Sequence, residues 1–506
     1  MKERRRNVME YVIGIDVGTT GTKALLLNEK GEILHRAYES YGLINPGPDQ
    51  TEQDPMDWYR AVASVVGSCS HAAGDSSRIA AVSVSAQGGT VVLCDRAGNP
   101  LRNAISWLDR RAKAESEELC SAKEKDYYYL HTGWRVNQGY HLAEIKWLSR
   151  HEPELMKKTE LFLSPLDYLN LALSGRAVSD YTNVAITNLE NIRRKDWEET
   201  IFQDLGITRE QLPVLEKAGT VIGRLTPQAA KDLQLEEGTL LVNGGYDQYC
   251  AACGLGAVNT GDVMLSTGTA WVLIGIADQL IFDQNSYIAP GLHVVPDLYG
   301  VMASLETGGV SLEWMRNNIL SSGEKISYDE LNRQAEDRGI GAQGLLFYPY
   351  FAGSTCPTWD PALRGSFLGL SLYHDRYDMT RAVMEGVVYE IDGILQSFDK
   401  AHMKPERIKM TGGAAKSSFW SQMIADITGI PVERYQEADS AAIGAGIIAA
   451  VGAGIFSDFQ AAIDRFKQES SLIIPDQERY SQYRKIKERY WSGLKCLREF
   501  YKKGVD

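Results

Sequence analysis

The pattern of apolar and polar residues along the chain predicts strands and helices in succession. Residues 11–27 read YVIGIDVGTTGTKALLL, which predicts two apolar strands joined by a tight Gly/Thr turn. A third strand is expected over Ile33–Ser40 and a helix over residues 56–73. A second strand, turn and strand pattern occupies residues 261–276. This order predicts an α/β protein.

Three other stretches carry local predictions. Residues 179–187, SDYTNVAIT, are predicted to be extended, and Asp378 is predicted to cap the N-terminus of a long helix. Apolar residues at helical spacing in residues 480–501 predict an amphipathic helix that packs against the protein.

Length, charge and cysteine content limit the possible functions. A chain of 506 residues is long enough for two domains, and a net charge of -13 argues against nucleic acid or an anionic membrane as the main partner. Seven scattered cysteines favour a reducing, cytoplasmic setting. The basic start, MKERRR, precedes an apolar stretch that Asp16 cuts short, so no signal-peptide core is expected. The charge-free residues 441–456 are short for a membrane span and predict a closely packed, buried helix.

The turn in residues 11–27 is suited to binding phosphate. Gly18 permits close approach of the backbone, Thr19 and Thr20 add hydroxyl donors, and Lys23 adds a positive charge. Asp16 ends the first strand, and a carboxylate beside phosphates is most useful if it serves a metal, which we expect to be Mg²⁺. The alternative is an ordinary glycine-turned hairpin, because the pattern matches neither a Walker A loop nor a dinucleotide-binding motif.

The block at residues 261–276 repeats the opening block. Gly268 and Thr269 fall where Gly18 and Thr19 fall in the first copy, which indicates a duplicated unit with one phosphate-facing turn in each half. Asp16 corresponds to Ser266 in the second copy. The duplication therefore predicts ATP between two turns, with a metal-associated carboxylate in the first turn alone.

Polar or glycine-rich residues also follow other predicted strands. Residues 87–89, Gln-Gly-Gly, end one strand, and residues 412–413, Gly-Gly, lie between a strand and a helix where they could cover a nucleoside. Asp109 and Arg111 are candidate substrate contacts, with a solvated helix start as the alternative. Asp247 lies where an apolar strand meets a helix. Its carboxylate could act as a general base or as an ordinary helix N-cap.

Taken in order, these stretches resemble the FGGY carbohydrate kinases over nearly the whole chain. The motifs are GIDVGTTGTKALL, SWLDRRA, SPLDYLNLALSGRAVSDYTNV, GGYDQ, LSTGT, ETGGVSLEW, RGSFLGLS and TGGAAKSSFWSQMIADITGIPV. The resemblance implies two ribonuclease-H-like domains of the actin-like ATPase type. Each would contain a mixed β-sheet flanked by helices, with ATP and sugar in the interdomain cleft. It places the domains at residues 1–253 and 254–470, followed by a packing helix in residues 471–506.

The resemblance also implies a role for each matched residue. Asp247 is similar to the catalytic base of the family, and Asp16 to the carboxylate associated with Mg²⁺. The matched ATP-binding residues are Gly18, Thr19, Thr20, Gly268, Thr269, Gly309, Gly412, Gly413 and Lys416. The matched sugar-binding residues are Gln87, Gly88, Gly89, Asp109, Arg111, Asp247 and Gln248.

The implied activity is ATP-dependent phosphorylation of a sugar hydroxyl, with D-xylulose as the leading substrate. Ribulose, erythritol, gluconate and glycerol are alternatives, and an ATP-gated protein without catalysis is a rival from another class. The family also implies a small-molecule sugar as partner and a homodimer. Gly88 and Gly89 stand where other members carry Met-His or Arg-Glu, so we expect that corner of the sugar pocket to be enlarged.

Overall fold

The structure is a computed structural model that describes residues 10–320, 326–436 and 439–502. The basic stretch MKERRR lies outside the described residues. The chain forms two compact units. Unit 1 contains Met1–Val258, Gly291–Tyr299 and Asp439–Lys467, and unit 2 contains Asn259–Pro290, Gly300–Ala438 and Gln468–Asp506. The domain boundaries drawn from the family resemblance stay a prediction.

The strands up to residue 258 all belong to unit 1. They are β1 Tyr11–Val17, β2 Gly21–Asn28, β3 Ile33–Ser40, β4 Glu52–Gln53, β5 Ile79–Ala86, β6 Val92–Cys94, β7 Ala104–Ile105, β8 Leu161–Leu163, β9 Val178–Ser179, β10 Glu190–Asn191, β11 Asp196–Trp197, β12 Val214–Leu215, β13 Val221–Arg224 and β14 Leu240–Tyr246.

The helices in the same part of the chain are mostly short. They are α1 Pro55–Ala73, α2 Lys113–Ala122, α3 Tyr127–Thr132, α4 His141–His151, α5 Pro153–Met156, α6 Pro165–Ser174, α7 Tyr181–Val184, α8 Glu199–Phe202, α9 Pro227–Leu233 and α10 Asp247–Gly254.

The later part of the chain supplies the remaining strands and helices. The strands are β15 Asp262–Thr267, β16 Trp271–Ala277, β17 Ala289–Leu292, β18 Tyr299–Leu305, β19 Leu346–Tyr348, β20 Ser366–Leu368, β21 Arg407–Gly412, β22 Val432–Tyr435 and β23 Ser470–Ile473. The helices are α11 Gly308–Trp314, α12 Tyr328–Asp337, α13 Arg376–Lys400, α14 Ser418–Thr428, α15 Ser440–Gly452, α16 Phe459–Arg465 and α17 Gln477–Lys502.

The main sheet of unit 1 has the strand order β13-β14-β5-β1-β2-β3. Strand β1 pairs antiparallel with β2 and parallel with β5, and β5 pairs parallel with β14. The register places Ala86 of β5 beside both Val17 and Tyr246, the last residues of β1 and β14. Because parallel strands end at the same edge of a sheet, the residues that follow β1, β5 and β14 lie side by side.

The main sheet of unit 2 repeats this plan in the order β17-β18-β16-β15-β21-β22-β23. Strand β15 pairs antiparallel with β16 and parallel with β21, and β21 pairs parallel with β22. Asp16 and Ser266 are each the second-to-last residue of the first strand, paired with Ser85 and Thr411 respectively. The predicted duplication of a mixed α/β sheet is confirmed.

Two local predictions are wrong, both because an upstream aspartate caps the helix. Of residues 179–187, Ser179 ends strand β9 as predicted, but residues 181–187 are helical and not extended, since Asp180 accepts hydrogen bonds from the backbone N–H groups of Thr182 and Asn183 and starts α7. Asp375, not Asp378, caps α13. Asp378 instead completes a capping box, because its carboxylate accepts a hydrogen bond from the Asp375 N–H.

Helix α15 confirms the prediction of a closely packed, buried helix. Gly444 of this helix faces the main chain of α10, and a Cβ there would lie 1.9 Å from the Cys250 carbonyl oxygen. A Cβ at Gly14 of β1 would lie 2.0 Å from the Ala442 carbonyl oxygen. None of the helices in residues 10–320, 326–436 and 439–502, α15 included, combines the length and apolar character needed to cross a membrane.

Helix α17 joins the core of unit 2 through a buried carboxyl group. Glu390 Oε1 in α13 accepts hydrogen bonds from the hydroxyls of Tyr350 and Tyr490, each at 2.6 Å. Burial raises the pKa of Glu390 to about 7, against the lowering effect of those two hydrogen bonds. The predicted packing role of the C-terminal helix is confirmed, since Tyr483, Tyr490, Leu494 and Leu497 are buried.

The raised pKa of Glu390 predicts a stability that depends on pH. The protonated carboxyl is favoured in the folded state, so its contribution is complete below the ordinary pKa of about 4.5 and is lost as pH rises through about 7. We expect the melting temperature of Glu390→Gln, relative to wild type, to rise between pH 5 and pH 8. Glu488→Gln, at an exposed position of α17, is the control and should show no such trend. A constant difference across this range would contradict the prediction.

Candidate active site

Asp247 is held at the point where β14 ends and α10 begins. The N-cap position of α10 belongs to Tyr246, and Asp247 is the first helical residue. Its Oδ1 atom is buried and has no hydrogen-bond partner among the residues that the structure describes. The helix-cap alternative therefore does not describe this residue, and an acceptor atom is left available to a ligand.

The surroundings of Asp247 bring its pKa close to neutrality. Burial raises the pKa to about 7, the charge of Asp16 adds to the rise, and hydrogen bonds from Gln248 oppose it. A general base works best when its pKa lies near the working pH. The arrangement thus suits proton transfer by Asp247 at neutral pH.

Asp16 lies in β1 of the same sheet, where β5 is the strand between β1 and β14. Ser85 of β5 donates a hydrogen bond from Oγ to Asp16 Oδ1 at 3.1 Å. Burial raises the pKa of Asp16 to about 6, while the charge of Lys23 lowers it. The carboxyl groups of Asp16 and Asp247 repel each other at a partly buried site. Such a site favours binding of a cation.

Lys23 forms an ion pair with Asp439 of unit 1. Its Nζ atom lies 3.5 Å from Asp439 Oδ1, and Arg36 Nε lies 3.2 Å from the other oxygen of the same carboxylate. Asp439 thus shares its charge between two cations. The role of Lys23 as a phosphate contact stays a prediction.

The turn after β1 is fixed by side chains from the rest of unit 1. The turn closes through a hydrogen bond from the Gly18 N–H to the Gly21 carbonyl at 3.0 Å, and Tyr41 OH donates to the Gly18 carbonyl at 2.6 Å. Thr19 Oγ1 accepts from Trp107 Nε1 at 3.1 Å, so its own O–H remains to donate. Thr20 is exposed at the tip of the turn.

Gln87 follows β5 at the same edge of the sheet. Its backbone N–H donates to the Val17 carbonyl at 2.9 Å and its Nε2 donates to Gln53 Oε1 at 3.0 Å. The buried Oε1 atoms of Gln87 and Gln248 have no hydrogen-bond partner within residues 10–320, 326–436 and 439–502. Together with Asp247 Oδ1 they leave three unpartnered acceptors on residues that follow neighbouring strands.

The corner at Gly88 and Gly89 is filled, so the expectation of an enlarged pocket there is wrong. A Cβ at Gly88 would lie 2.8 Å from Ile186 Cγ2 and 3.0 Å from the ring of Tyr246. Gly89 has a positive φ of 79°, and its Cβ would lie 3.0 Å from Trp107 Cβ. Larger side chains from other elements occupy the space that the two glycines leave.

Asp109 and Arg111 form a buried ionic group. Arg111 Nη2 lies 2.8 Å from both Asp109 Oδ2 and Glu52 Oε1, and the Thr51 N–H donates to Asp109 Oδ2 at 2.6 Å. The Arg111 guanidinium also faces the ring of Trp147 at 5.2 Å. Since both side chains are buried, the alternative of a solvated helix start is wrong. Their contact with substrate stays a prediction.

In unit 2, the turn after β15 and the glycines after β21 come together around Thr267. The Gly413 N–H donates to the Thr267 carbonyl at 2.8 Å, and the Ala414 N–H donates to Thr267 Oγ1 at 3.1 Å. Gly412 has a φ of 96°, and a Cβ there would lie 2.6 Å from the Thr267 carbonyl oxygen. Only glycine fits this backbone contact.

Gly309 lies beside the turn that follows β15. A Cβ on it would lie 2.2 Å from the Gly268 carbonyl oxygen, and the Val310 N–H donates to the Thr269 carbonyl at 3.2 Å. Lys416 is exposed at the end of the short helical turn 414–416 that follows these glycines. The predicted ATP-binding residues of unit 2 therefore share one region, at the edge where β15 and β21 end.

Several residues that shape the site were not among the predicted ones. Ser85 holds Asp16, Trp107 holds Thr19 and Thr267 joins the two glycine-rich turns of unit 2. The role of Ser85 could have been suspected from the sequence, because it is a polar residue within a strand that is buried along nearly its whole length. Trp107 and its contact with Thr19 have none, since the two residues lie far apart in the sequence.

Comparison with known families agrees with this arrangement. The model of the N-terminal domain of the FGGY family of carbohydrate kinases matches residues 11–254, and the model of the C-terminal domain matches residues 263–453. The chain belongs to the FGGY family of carbohydrate kinases. It is a phosphotransferase that acts on a sugar, and ATP is the phosphate donor in this family.

Individual relatives match nearly the whole length of the chain. The xylulose kinase of Bacillus subtilis is 32% identical over 486 residues, which are 95% of this chain and 96% of the relative. The xylulose kinase of Staphylococcus epidermidis is 31% identical over 97% of both chains. The crystal structure of gluconate kinase from Lactobacillus acidophilus superimposes with a TM-score of 0.91 at 26% identity, covering 98% of this chain and all of the other.

Proposed function

We propose that this FGGY kinase phosphorylates a neutral ketose, with D-xylulose as the leading candidate, and that Asp247 is its general base. Two relatives at 31% and 32% identity, both nearly full length, are xylulose kinases. The observation that carries the proposal is the Asp247 carboxyl group, with its buried, unpartnered Oδ1 and its pKa of about 7.

The unpartnered acceptors of unit 1 favour a polyhydroxylated substrate. Gln87 Oε1, Asp247 Oδ1 and Gln248 Oε1 are buried and receive no hydrogen bond from the described part of the chain. Leaving a buried acceptor without a partner costs about 1 to 3 kcal/mol. Sugar hydroxyls would supply these donors, so binding a polyol recovers that free energy.

The ionic group around Arg111 favours a neutral sugar over a sugar acid. The guanidinium charge is balanced by Asp109 and Glu52, at 2.8 Å from each. Glu52 also pairs with Arg102, so a substrate carboxylate at this place would compete for guanidinium groups that already have carboxylate partners. Gluconate is the second candidate because of the likeness to the gluconate kinase structure.

The proposed reaction needs one proton transfer and one phosphoryl transfer. The substrate hydroxyl gives its proton to Asp247, its oxygen forms the new bond to the γ-phosphorus, and the bond from that phosphorus to ADP breaks. The Thr19 hydroxyl, whose oxygen accepts from Trp107, donates a hydrogen bond to a phosphate oxygen.

The residues near Asp16 fit Mg²⁺ as it is usually bound beside nucleotides. No group of three or more His, Cys, Asp or Glu that could hold a metal occurs among the described residues. Mg²⁺ commonly uses one or two carboxylates together with substrate phosphates and water. Asp16 would hold the ion, which when bound offsets the negative charge of the phosphates.

A substrate panel tests the proposed function. The purified protein is assayed for ADP release with D-xylulose, D-ribulose, erythritol, glycerol and D-gluconate, each with a blank without sugar. We expect kcat/KM to be highest for D-xylulose, and a higher value for gluconate would overturn the choice of a neutral ketose. ATP turnover that no sugar stimulates would overturn the kinase proposal itself.

Asp16→Asn tests the metal assignment. The substitution keeps the shape of the side chain and removes its charge, so we expect the Mg²⁺ concentration for half-maximal rate to rise by roughly 10- to 100-fold. The measurement is a Mg²⁺ titration at saturating ATP and sugar. Glu29→Gln, exposed after the end of β2 away from the turn, is the control. An unchanged Mg²⁺ titration would remove Asp16 from this role.

Two further parts of the proposal concern the setting of the enzyme. All seven cysteines are free thiols, which supports a reducing compartment such as the cytoplasm.

The homodimer implied by the family stays a prediction, and light scattering of the purified protein tests it.

A further inference from the structure

The backbone just before Asp247 is held by a side chain from a different part of unit 1. The N–H group of Tyr246 donates a hydrogen bond to Thr182 Oγ1 at 2.9 Å. A Cβ placed on Gly245 would lie 3.1 Å from the same oxygen. Thr182 therefore contacts the last two residues of β14 directly.

This contact lies where the strand pairing of β14 is irregular. The register between β14 and β5 shifts between Val242 and Gly245. Regular ladder bonds fix a strand along its length, and a shift in register interrupts them. Pairing with β5 resumes at Gly245 and Tyr246, opposite Ser85 and Ala86, so the hydrogen bond to Thr182 adds a second constraint on Tyr246 at the end of the strand.

Thr182 is itself fixed by Asp180. The Thr182 hydroxyl lies 3.0 Å from Asp180 Oδ1 and 2.9 Å from Oδ2, and the Thr182 N–H donates to Asp180 Oδ2 at 3.0 Å. Asp180 is 1% exposed and Thr182 is 2% exposed. Because the hydroxyl proton is donated to the carboxylate, a lone pair of Thr182 Oγ1 is left to accept from Tyr246.

We propose that Asp180 and Thr182 are positioning residues, which fix the main chain at Tyr246 and so aim the Asp247 carboxyl group at the substrate hydroxyl. This inference rests on the proposed role of Asp247 as the base. Neither residue touches the reacting atoms. Their effect is to narrow the range of positions of Asp247, and displacement of a catalytic group by 1 Å can cost roughly 100-fold in rate.

The test compares Thr182→Val with Thr182→Ser. Valine keeps the volume and removes the acceptor, so we expect kcat for sugar phosphorylation to fall by roughly 10- to 100-fold, with KM for ATP unchanged. Serine keeps the hydroxyl and should retain kcat within about twofold of wild type, since the hydrogen bond is rebuilt. The rescue by serine separates the hydroxyl from the packing of the methyl group.

Thr239→Val is the matched control. Thr239 precedes β14 at its other end, is 3% exposed, and donates from Oγ1 to the Ile79 carbonyl at 3.4 Å. We expect this variant to lower the melting temperature without lowering kcat. A loss of kcat by the same factor as in Thr182→Val would mean that the effect is general destabilisation, and would overturn the proposal.

Amide hydrogen exchange gives a readout that does not need catalysis. Mass spectrometry of peptides covering residues 244–252 should show exchange at Tyr246 roughly tenfold faster in Thr182→Val than in wild type. Asp180→Asn, which keeps a side-chain oxygen to cap α7, serves in the same assays if Thr182→Val does not fold. Unchanged exchange at Tyr246, or a kcat of Thr182→Val within twofold of wild type, would overturn the proposal.

The exchange result is independent of the substrate proposal. If the wild-type protein phosphorylates no sugar in the panel, the proposed function fails, while faster exchange at Tyr246 still supports the link from Asp180 through Thr182 to the main chain. If Asp247→Asn is inactive and Thr182→Val is fully active, the proposed function stands and the positioning role is wrong.

Discussion

Asp247→Asn should lower kcat for sugar phosphorylation by roughly 10²- to 10⁴-fold, while leaving the affinity for ATP nearly intact. The amide keeps the size of the carboxyl group and cannot take the proton from the substrate hydroxyl. Gly268, Gly309 and Gly412, which are predicted to bind ATP, belong to unit 2 and do not depend on this side chain.

The measurement is a steady-state determination of kcat and KM for sugar and for ATP, with ATP affinity checked separately by equilibrium binding. Asp464→Asn, exposed in α16 of the same unit, is the control for loss of a carboxylate. Near-normal turnover of Asp247→Asn would show that another group accepts the proton.

Gly444→Ala should strongly destabilise unit 1, by roughly 3 kcal/mol. The added Cβ would lie 1.9 Å from the Cys250 carbonyl oxygen, which is main chain and cannot rotate away. Helices α15 and α10 would have to separate, and α10 begins with Asp247. We therefore expect the folded fraction that remains to lose kcat as well.

Chemical denaturation and the melting temperature measure this effect, and kcat is measured on the folded protein. Gly42→Ala is the matched control, because a Cβ there has no atom within 4 Å and the φ of Gly42 is not positive. Equal stability of Gly444→Ala and wild type would show that the two helices can move apart at little cost.

The alternation of apolar and polar residues was sufficient to predict the two duplicated hairpins. Strands β1 and β2 and strands β15 and β16 lie where the sequence placed them, because a strand, a Gly/Thr turn and a returning strand are encoded by neighbouring residues. The prediction of extended chain failed at residues 181–187, where the Asp180 side chain competes for backbone N–H groups and starts a helix.

The chemistry of the predicted residues was harder to read from the sequence. Asp247 fitted a helix cap and a catalytic base equally well, since both favour an aspartate where a strand meets a helix. Gly88 and Gly89 predicted open space, yet Ile186, Tyr246 and Trp107 fill it. Residues distant in sequence decide both questions.

By itself, the sequence determined the repeated α/β plan, the two Gly/Thr turns and the difference between Asp16 and Ser266, because each depends on residues close together in the chain. The tertiary structure alone decided that α15 packs in unit 1, that burial brings the pKa of Asp247 to about 7, and that Thr182 holds the main chain beside it. Burial, charge interactions and the direction of a hydroxyl proton arise from contacts across the folded chain, so no local pattern specifies them.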